Sequence, residues 1–125
     1  MSENKLILLV EDDEFLSELY ATKLGLEGYE VILASDGEKG LKLIKEKQPD
    51  LILLDIILPK LDGFEILSKI KADKILKKIP VILLTNLSQK DEVKRGLDLG
   101  ADDYLSKAHF MPSEVVKKIK QVLAQ

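Results

Sequence analysis

Five short segments recur along the chain, at Leu6–Val10, Val31–Ala34, Leu51–Leu54, Val81–Leu84 and Asp103–Leu105, and the first four are wholly apolar. A strand with one wet face alternates apolar and polar residues. Uninterrupted runs instead predict strands buried on both faces, as in a parallel sheet covered by helices on each side. The intervening stretches carry helical spacing. Leu16, Leu19, Tyr20 and Leu24 fall on one predicted face, as do Ile66, Leu67 and Ile70, then Val93 and Leu97. Val115, Val116, Ile119, Val122 and Leu123 form the last stripe, and the stretch after Asp36 has the weakest, with Leu41 and Ile44 as its clearest pair.

Helix boundaries are written in the same sequence. Ser35 with Glu38, and Asp62 with Glu65, fit an N-cap followed by an acid at the third helical position. Ser88 suits the cap of the fourth helix and Pro112 the first position of the fifth. Gly28 and Gly100 stand where left-handed caps are expected. A β-α unit repeated five times, joined by right-handed crossovers, predicts an α/β doubly wound fold with a five-stranded parallel sheet and five helices. Ligands of such sheets bind outside the carboxyl ends of the strands.

Composition narrows the class. With 125 residues, residues 1–125 are expected to form one domain. No cysteine is present, so disulfides and thiolate metal sites are excluded. The net charge of −3 does not suit a general nucleic-acid binder, and no direct nucleic-acid contact is expected. The apolar runs are far shorter than the roughly 20 residues that cross a bilayer, so a cytoplasmic protein without membrane contact is expected.

Chemistry-bearing residues gather at the predicted strand ends. The first strand runs into Glu11-Asp12-Asp13, the third ends at Asp55, the fourth at Thr85, and the fifth is followed by Ser106-Lys107. Carboxylates brought this close repel, by about 4 kcal/mol per pair at 4 Å and an effective dielectric near 20. A hard cation relieves that repulsion, and few carboxylates with room for water suit magnesium better than a calcium cage. A carboxylate can also act as nucleophile toward phosphorus, with the metal and Lys107 neutralising the transferred group and Thr85 supplying a hydroxyl donor. Taken singly these residues have plainer roles. Asp13 suits a helix cap, Lys107 a surface lysine, and Thr85 a strand residue bonded to backbone. Only their joint placement points to a site.

The ordered set Leu8-Leu9-Val10-Glu11-Asp12-Asp13, Asp55-Ile56-Ile57-Leu58-Pro59 with Asp62-Gly63-Phe64-Glu65, Leu83-Leu84-Thr85, and Gly100-Ala101-Asp102-Asp103-Tyr104-Leu105-Ser106-Lys107 resembles the receiver domains of bacterial two-component response regulators. The resemblance covers essentially the whole chain, with spacings of 30 residues (85 − 55) and 22 residues (107 − 85). It implies a flavodoxin-like sheet and a stand-alone, chemotaxis-regulator-like signalling domain rather than an enzyme acting on a metabolite. Asp55 resembles the phosphoryl acceptor, served by a sensor histidine kinase or a histidine phosphotransfer protein. Glu11, Asp12, Asp55 and the backbone carbonyl of Ile57 resemble the Mg2+ ligand set, Glu11 acting mainly through a metal-bound water. Lys107 would pair with the phosphoryl group. Thr85 and Tyr104 resemble a coupled switch that reports to a downstream protein target through the fourth helix, fifth strand and fifth helix. Homodimerisation on phosphorylation fits the same resemblance.

Some positions depart from the family's commonest pattern. Ala108 follows the lysine where proline is usual, and a cis bond before a non-proline residue costs about 3–4 kcal/mol. Asn86 follows Thr85 in place of a small residue. Ile57 and Leu87 flank the site with side chains unable to orient a water, which predicts slow self-dephosphorylation. His109, the only histidine, reads as a surface-loop residue, and Lys117, Lys118 and Lys120 as a solvated helix face.

Other classes fit less well. A flavin carrier on this fold needs a hydroxyl- and glycine-rich phosphate loop where Glu11-Asp12-Asp13 stands. Haloacid-dehalogenase-type phosphatases have a second acid two residues after the nucleophile, where this chain has Ile57. No Walker-type loop occurs. A receiver-shaped binding module that no longer uses phosphate remains the competing reading.

Overall fold

The computed structural model describes residues 5–85, 90–106 and 112–124. Five strands, β1 (Leu6–Val10), β2 (Glu30–Ala34), β3 (Leu51–Asp55), β4 (Val81–Thr85) and β5 (Asp103–Ser106), form one parallel sheet in the order β2-β1-β3-β4-β5. Helices α1 (Glu14–Leu26), α2 (Gly37–Lys47), α3 (Gly63–Ala72), α4 (Lys90–Asp98) and α5 (Pro112–Leu123) make the crossovers, with a 3-10 turn at Leu76–Lys78 before β4.

Alternate residues of each inner strand feed opposite layers, which is why those strands are apolar throughout. Leu8, Val10, Ile52, Leu54, Val81 and Leu83 pack with Ile44 of α2 and Ile66, Leu67 and Ile70 of α3. Ile7, Leu9, Leu51, Leu53, Ile82 and Leu84 pack with Tyr20 and Leu24 of α1 and Val115 and Ile119 of α5. The edge strands are less covered, and Leu33 of β2 and Tyr104 of β5 are partly exposed. Among the described residues no helix is long and apolar enough to cross a membrane.

The predicted boundaries hold in several places. Asp62 caps α3 by accepting from the Glu65 amide at 2.9 Å, and α5 begins at Pro112. Gly28 and Gly100 take φ of +93° and +110°. The Ser88 cap lies outside the described residues.

Five expectations are corrected. The cap of α2 is Asp36, not Ser35: its carboxylate accepts from the Lys39 amide at 2.9 Å, and the helix starts one residue later. That shift turns Gly37, Gly40 and Ile44 inward and packs Leu43, rather than Leu41, against the core. The inward stripe of α1 is Ser17, Tyr20 and Leu24, which leaves Leu19 at the surface beside Phe15. On α4, Gly96 makes the close approach to Leu83 and Leu97 stays exposed. Lys118 is not simply solvated, since its Nζ lies 2.9 Å from Asp103 Oδ1 and 5.2 Å from the centre of the Tyr104 ring.

Candidate functional site

Three consecutive acids follow β1, and the backbone assigns them different tasks. The Glu11 amide continues the β1–β2 ladder, donating to the Ala34 carbonyl at 3.0 Å. The chain therefore stays extended through Glu11, and its side chain is buried. Glu11 Oε2 accepts from the Asp13 amide at 3.2 Å, and Ser17 Oγ on α1 donates to the Glu11 carbonyl at 3.3 Å. Asp12 is exposed. Asp13 takes the plainer of its expected roles, accepting from the Leu16 amide at 3.1 Å as the N-cap of α1.

Asp55 ends β3, opposite Leu84 of β4, and is only 4% exposed. Its Oδ1 accepts from the Ile57 amide at 3.2 Å, which brings the Ile57 backbone to the carboxylate while the Ile57 side chain is 58% exposed. The chain then turns back on itself. The Gly63 amide donates to the Ile56 carbonyl at 2.8 Å, and a Cβ at Gly63 would strike the Asp55 carbonyl oxygen. Only a glycine lets the start of α3 press on the end of β3 and hold Asp55 in place.

Thr85 closes β4, buried and in register with Ser106 of β5. Lys107, expected beside it, lies outside the described residues, as do Asn86, Leu87, Ala108 and His109.

One carboxylate oxygen each from Glu11, Asp12 and Asp55 lies within 4.8 Å of the others. Two of the three residues are buried and the third is exposed, so the cluster is an open-topped set of hard oxygen donors. That donor set fits a magnesium ion that keeps part of its water shell. On the inner side, burial, then Glu11, then Asp55 push the phenol of Tyr20 well above the usual tyrosine range.

The profile of the response regulator receiver domain matches residues 7–120. The chain belongs to the receiver-domain family. It is 43% identical over 120 residues to the alkaline phosphatase synthesis transcriptional regulatory protein PhoP of Bacillus subtilis, an alignment covering 96% of this chain and 49% of that protein. The chain thus spans about half the length of the curated relatives it matches. A response-regulator structure from Chloroflexus aurantiacus superposes with a TM-score of 0.93 at 32% identity, covering 98% of this chain and 100% of that one. The receiver domain of a Pseudomonas aeruginosa sensor histidine kinase superposes with a TM-score of 0.89 at 29% identity, covering 98% and 100%, and its structure holds a magnesium ion in the active-site cleft.

In this receiver domain the fold brings together Glu11, Asp12 and Asp55 as the sequence predicts, with the Ile57 backbone beside Asp55. Thr85 ends the adjacent strand. Tyr104 stands on the outer edge of the sheet, 40% exposed, with Lys118 over its ring. Sequence reasoning missed Ser17, which anchors Glu11, and treated Tyr20 as core only. The available signal was that both are polar-tipped residues on the inward stripe of α1.

Proposed function

We propose that this receiver domain is a phosphorylation-dependent switch in which Asp55 accepts a phosphoryl group from the phosphohistidine of a sensor histidine kinase or histidine phosphotransfer protein. The single observation that carries this reading is the meeting of three carboxylates at one sheet edge, two of them buried. In water-accessible surface a loop would spread such charges apart. Here β1 and β3 hold them together, which needs a compensating charge.

Glu11, Asp12 and Asp55, with the carbonyl of Ile57, would hold the ion. When bound, Mg2+ offsets the negative charge of the carboxylates and of the transferring phosphoryl group. The remaining steps belong to the chain. An Asp55 carboxylate oxygen attacks phosphorus in line, a P–O bond forms as the P–N bond breaks, and the electron pair returns to the imidazole. The Ile57 amide fixes one Asp55 oxygen during the attack. Lys107 pairs with the phosphoryl oxygens and Thr85 donates its hydroxyl to them.

That donation draws Thr85 toward the acceptor, and Tyr104 on the neighbouring strand turns inward, leaving Lys118. The signal then reaches a downstream protein through α4, β5 and α5, with homodimerisation through that face as one form of output. In this reading the domain assists its own phosphorylation and hydrolysis, turns over no metabolite, works in the cytoplasm and makes no nucleic-acid contact of its own. PhoP and PhoB, of which this chain covers about half, are named as transcriptional regulatory proteins.

Intact-mass measurement after incubation with a small phosphodonor tests the proposal. A gain of one phosphoryl group that needs Mg2+ and is lost in Asp55→Asn is the expected result. No mass gain in the wild type, or one retained in the variant, refutes it. Beryllofluoride with Mg2+ separates the phosphate-independent alternative, since the switch predicts NMR shifts centred on Asp55, Thr85 and Tyr104 and the binding module predicts none.

A further inference from the structure

The chain places a tyrosine hydroxyl where an aliphatic side chain would fill the same layer. Tyr20 is 1% exposed and packs in the layer that includes Leu9, Leu53 and Leu84. Side chains two apart on a strand share a face. The column Ile7–Leu9 of β1 therefore continues to Glu11, which stays in line with the strand, and the column Leu51–Leu53 of β3 continues to Asp55. Leu9 and Leu53 are register partners, so the two columns run side by side. Both carboxylates thus cap the very layer in which Tyr20 sits. One helical turn earlier, Ser17 touches the Glu11 carbonyl at 3.3 Å, which sets this face of α1 against the acidic loop. Burial first, then the nearby Glu11 and Asp55 carboxylates, hold the Tyr20 phenol above the usual tyrosine range.

A buried hydroxyl needs a role that offsets its loss of water. A tyrosine is protonated at neutral pH and faces carboxylates as a donor. We propose that Tyr20 is a positioning residue of the acidic site: its hydroxyl forms the inner wall of the cluster and orients Glu11, and with it the water shell of the bound cation. The inference rests on the magnesium-dependent reading above. It assigns to Tyr20 no contact with phosphate or metal.

Calorimetric titration of Mg2+ into wild type and Tyr20→Phe, with thermal unfolding of both without metal, tests this. Removing a residue that orients a ligand weakens metal affinity by about tenfold or more. That loss, in a variant that still unfolds cooperatively, is the expected result. Equal affinities with only a lowered Tm mean a purely structural tyrosine and overturn the proposal alone. A wild type that binds no Mg2+ refutes the site reading, and the proposal with it. Should Tyr20→Phe fail to fold, a protein carrying Tyr29→Phe and Tyr104→Phe keeps Tyr20 as its only tyrosine. Its emission changing with Mg2+ then supports the proposal, and emission unchanged through a titration that calorimetry shows to saturate overturns it.

Discussion

The backbone amide of Ile57 donates to Oδ1 of Asp55, two residues upstream, at 3.2 Å. An asparagine keeps an acceptor oxygen at that position, so Asp55→Asn preserves the turn while removing one of three clustered charges. The metal-free variant is expected to be more stable than the wild type by on the order of 1 kcal/mol, a discounted share of the pairwise repulsion. Urea unfolding in chelator and in Mg2+ checks this. The difference should shrink when the ion is present, because the wild type then has its counter-charge.

Ile57 also bears on how long the signal lasts. Its side chain is exposed and hydrocarbon, with no atom able to orient an attacking water. Ile57→Asn should shorten the lifetime of the acyl phosphate severalfold, with little change in Tm. Following decay of the phosphorylated mass tests this, and an unchanged decay would assign control elsewhere.

Asp73 supplies a pH signature away from the site. It accepts from the Ile75 and Leu76 amides at 2.8 and 3.0 Å. The Leu76 bond first, then the Ile75 bond, hold its carboxyl below the usual range, with Lys45 adding a small push the same way. A depressed folded pKa means the stabilisation is full above about pH 4, the unfolded value, and is lost as pH falls through the lower folded value. Asp73→Asn should therefore lower stability at neutral pH and flatten the acid limb of a stability–pH curve measured from pH 6 to 2.

Lys60 carries φ of +70° in the loop that positions Asp55. Its ion pair with Asp36 spans 3.9 Å and its side chain is largely exposed, so the pair contributes little. The left-handed backbone costs any L-residue about 1 kcal/mol that glycine avoids. Lys60→Gly is expected to be more stable than Lys60→Ala by about that amount, measured as the difference in urea midpoints. The reverse order would mean that the loop relaxes when Lys60 is replaced.

The strands and the site acids were legible because both are written locally. An inner strand must be apolar on two faces, so Leu51–Leu54 and Val81–Leu84 announce a parallel sheet, and acids placed just beyond such runs fall at one edge by topology. Asp62 and Gly28 were legible for the same reason, each serving backbone groups within a few residues. Reading failed where a helix's facing depends on its neighbour. Ser35 and Asp36 are both good caps, and the close approach of Gly37 to the Leu61 carbonyl and Gly40 to Val10 goes with the later start.

The sequence alone determined the β-α rhythm, the parallel sheet and the identity of Glu11, Asp12 and Asp55, since these follow from period, burial and order along the chain. Tertiary structure alone decided that Lys118 leans on Tyr104, that Ser17 reaches the Glu11 carbonyl, and that Tyr20 is buried in the layer beneath Glu11 and Asp55. Those outcomes depend on distances between residues on different elements, and only packing in three dimensions sets them.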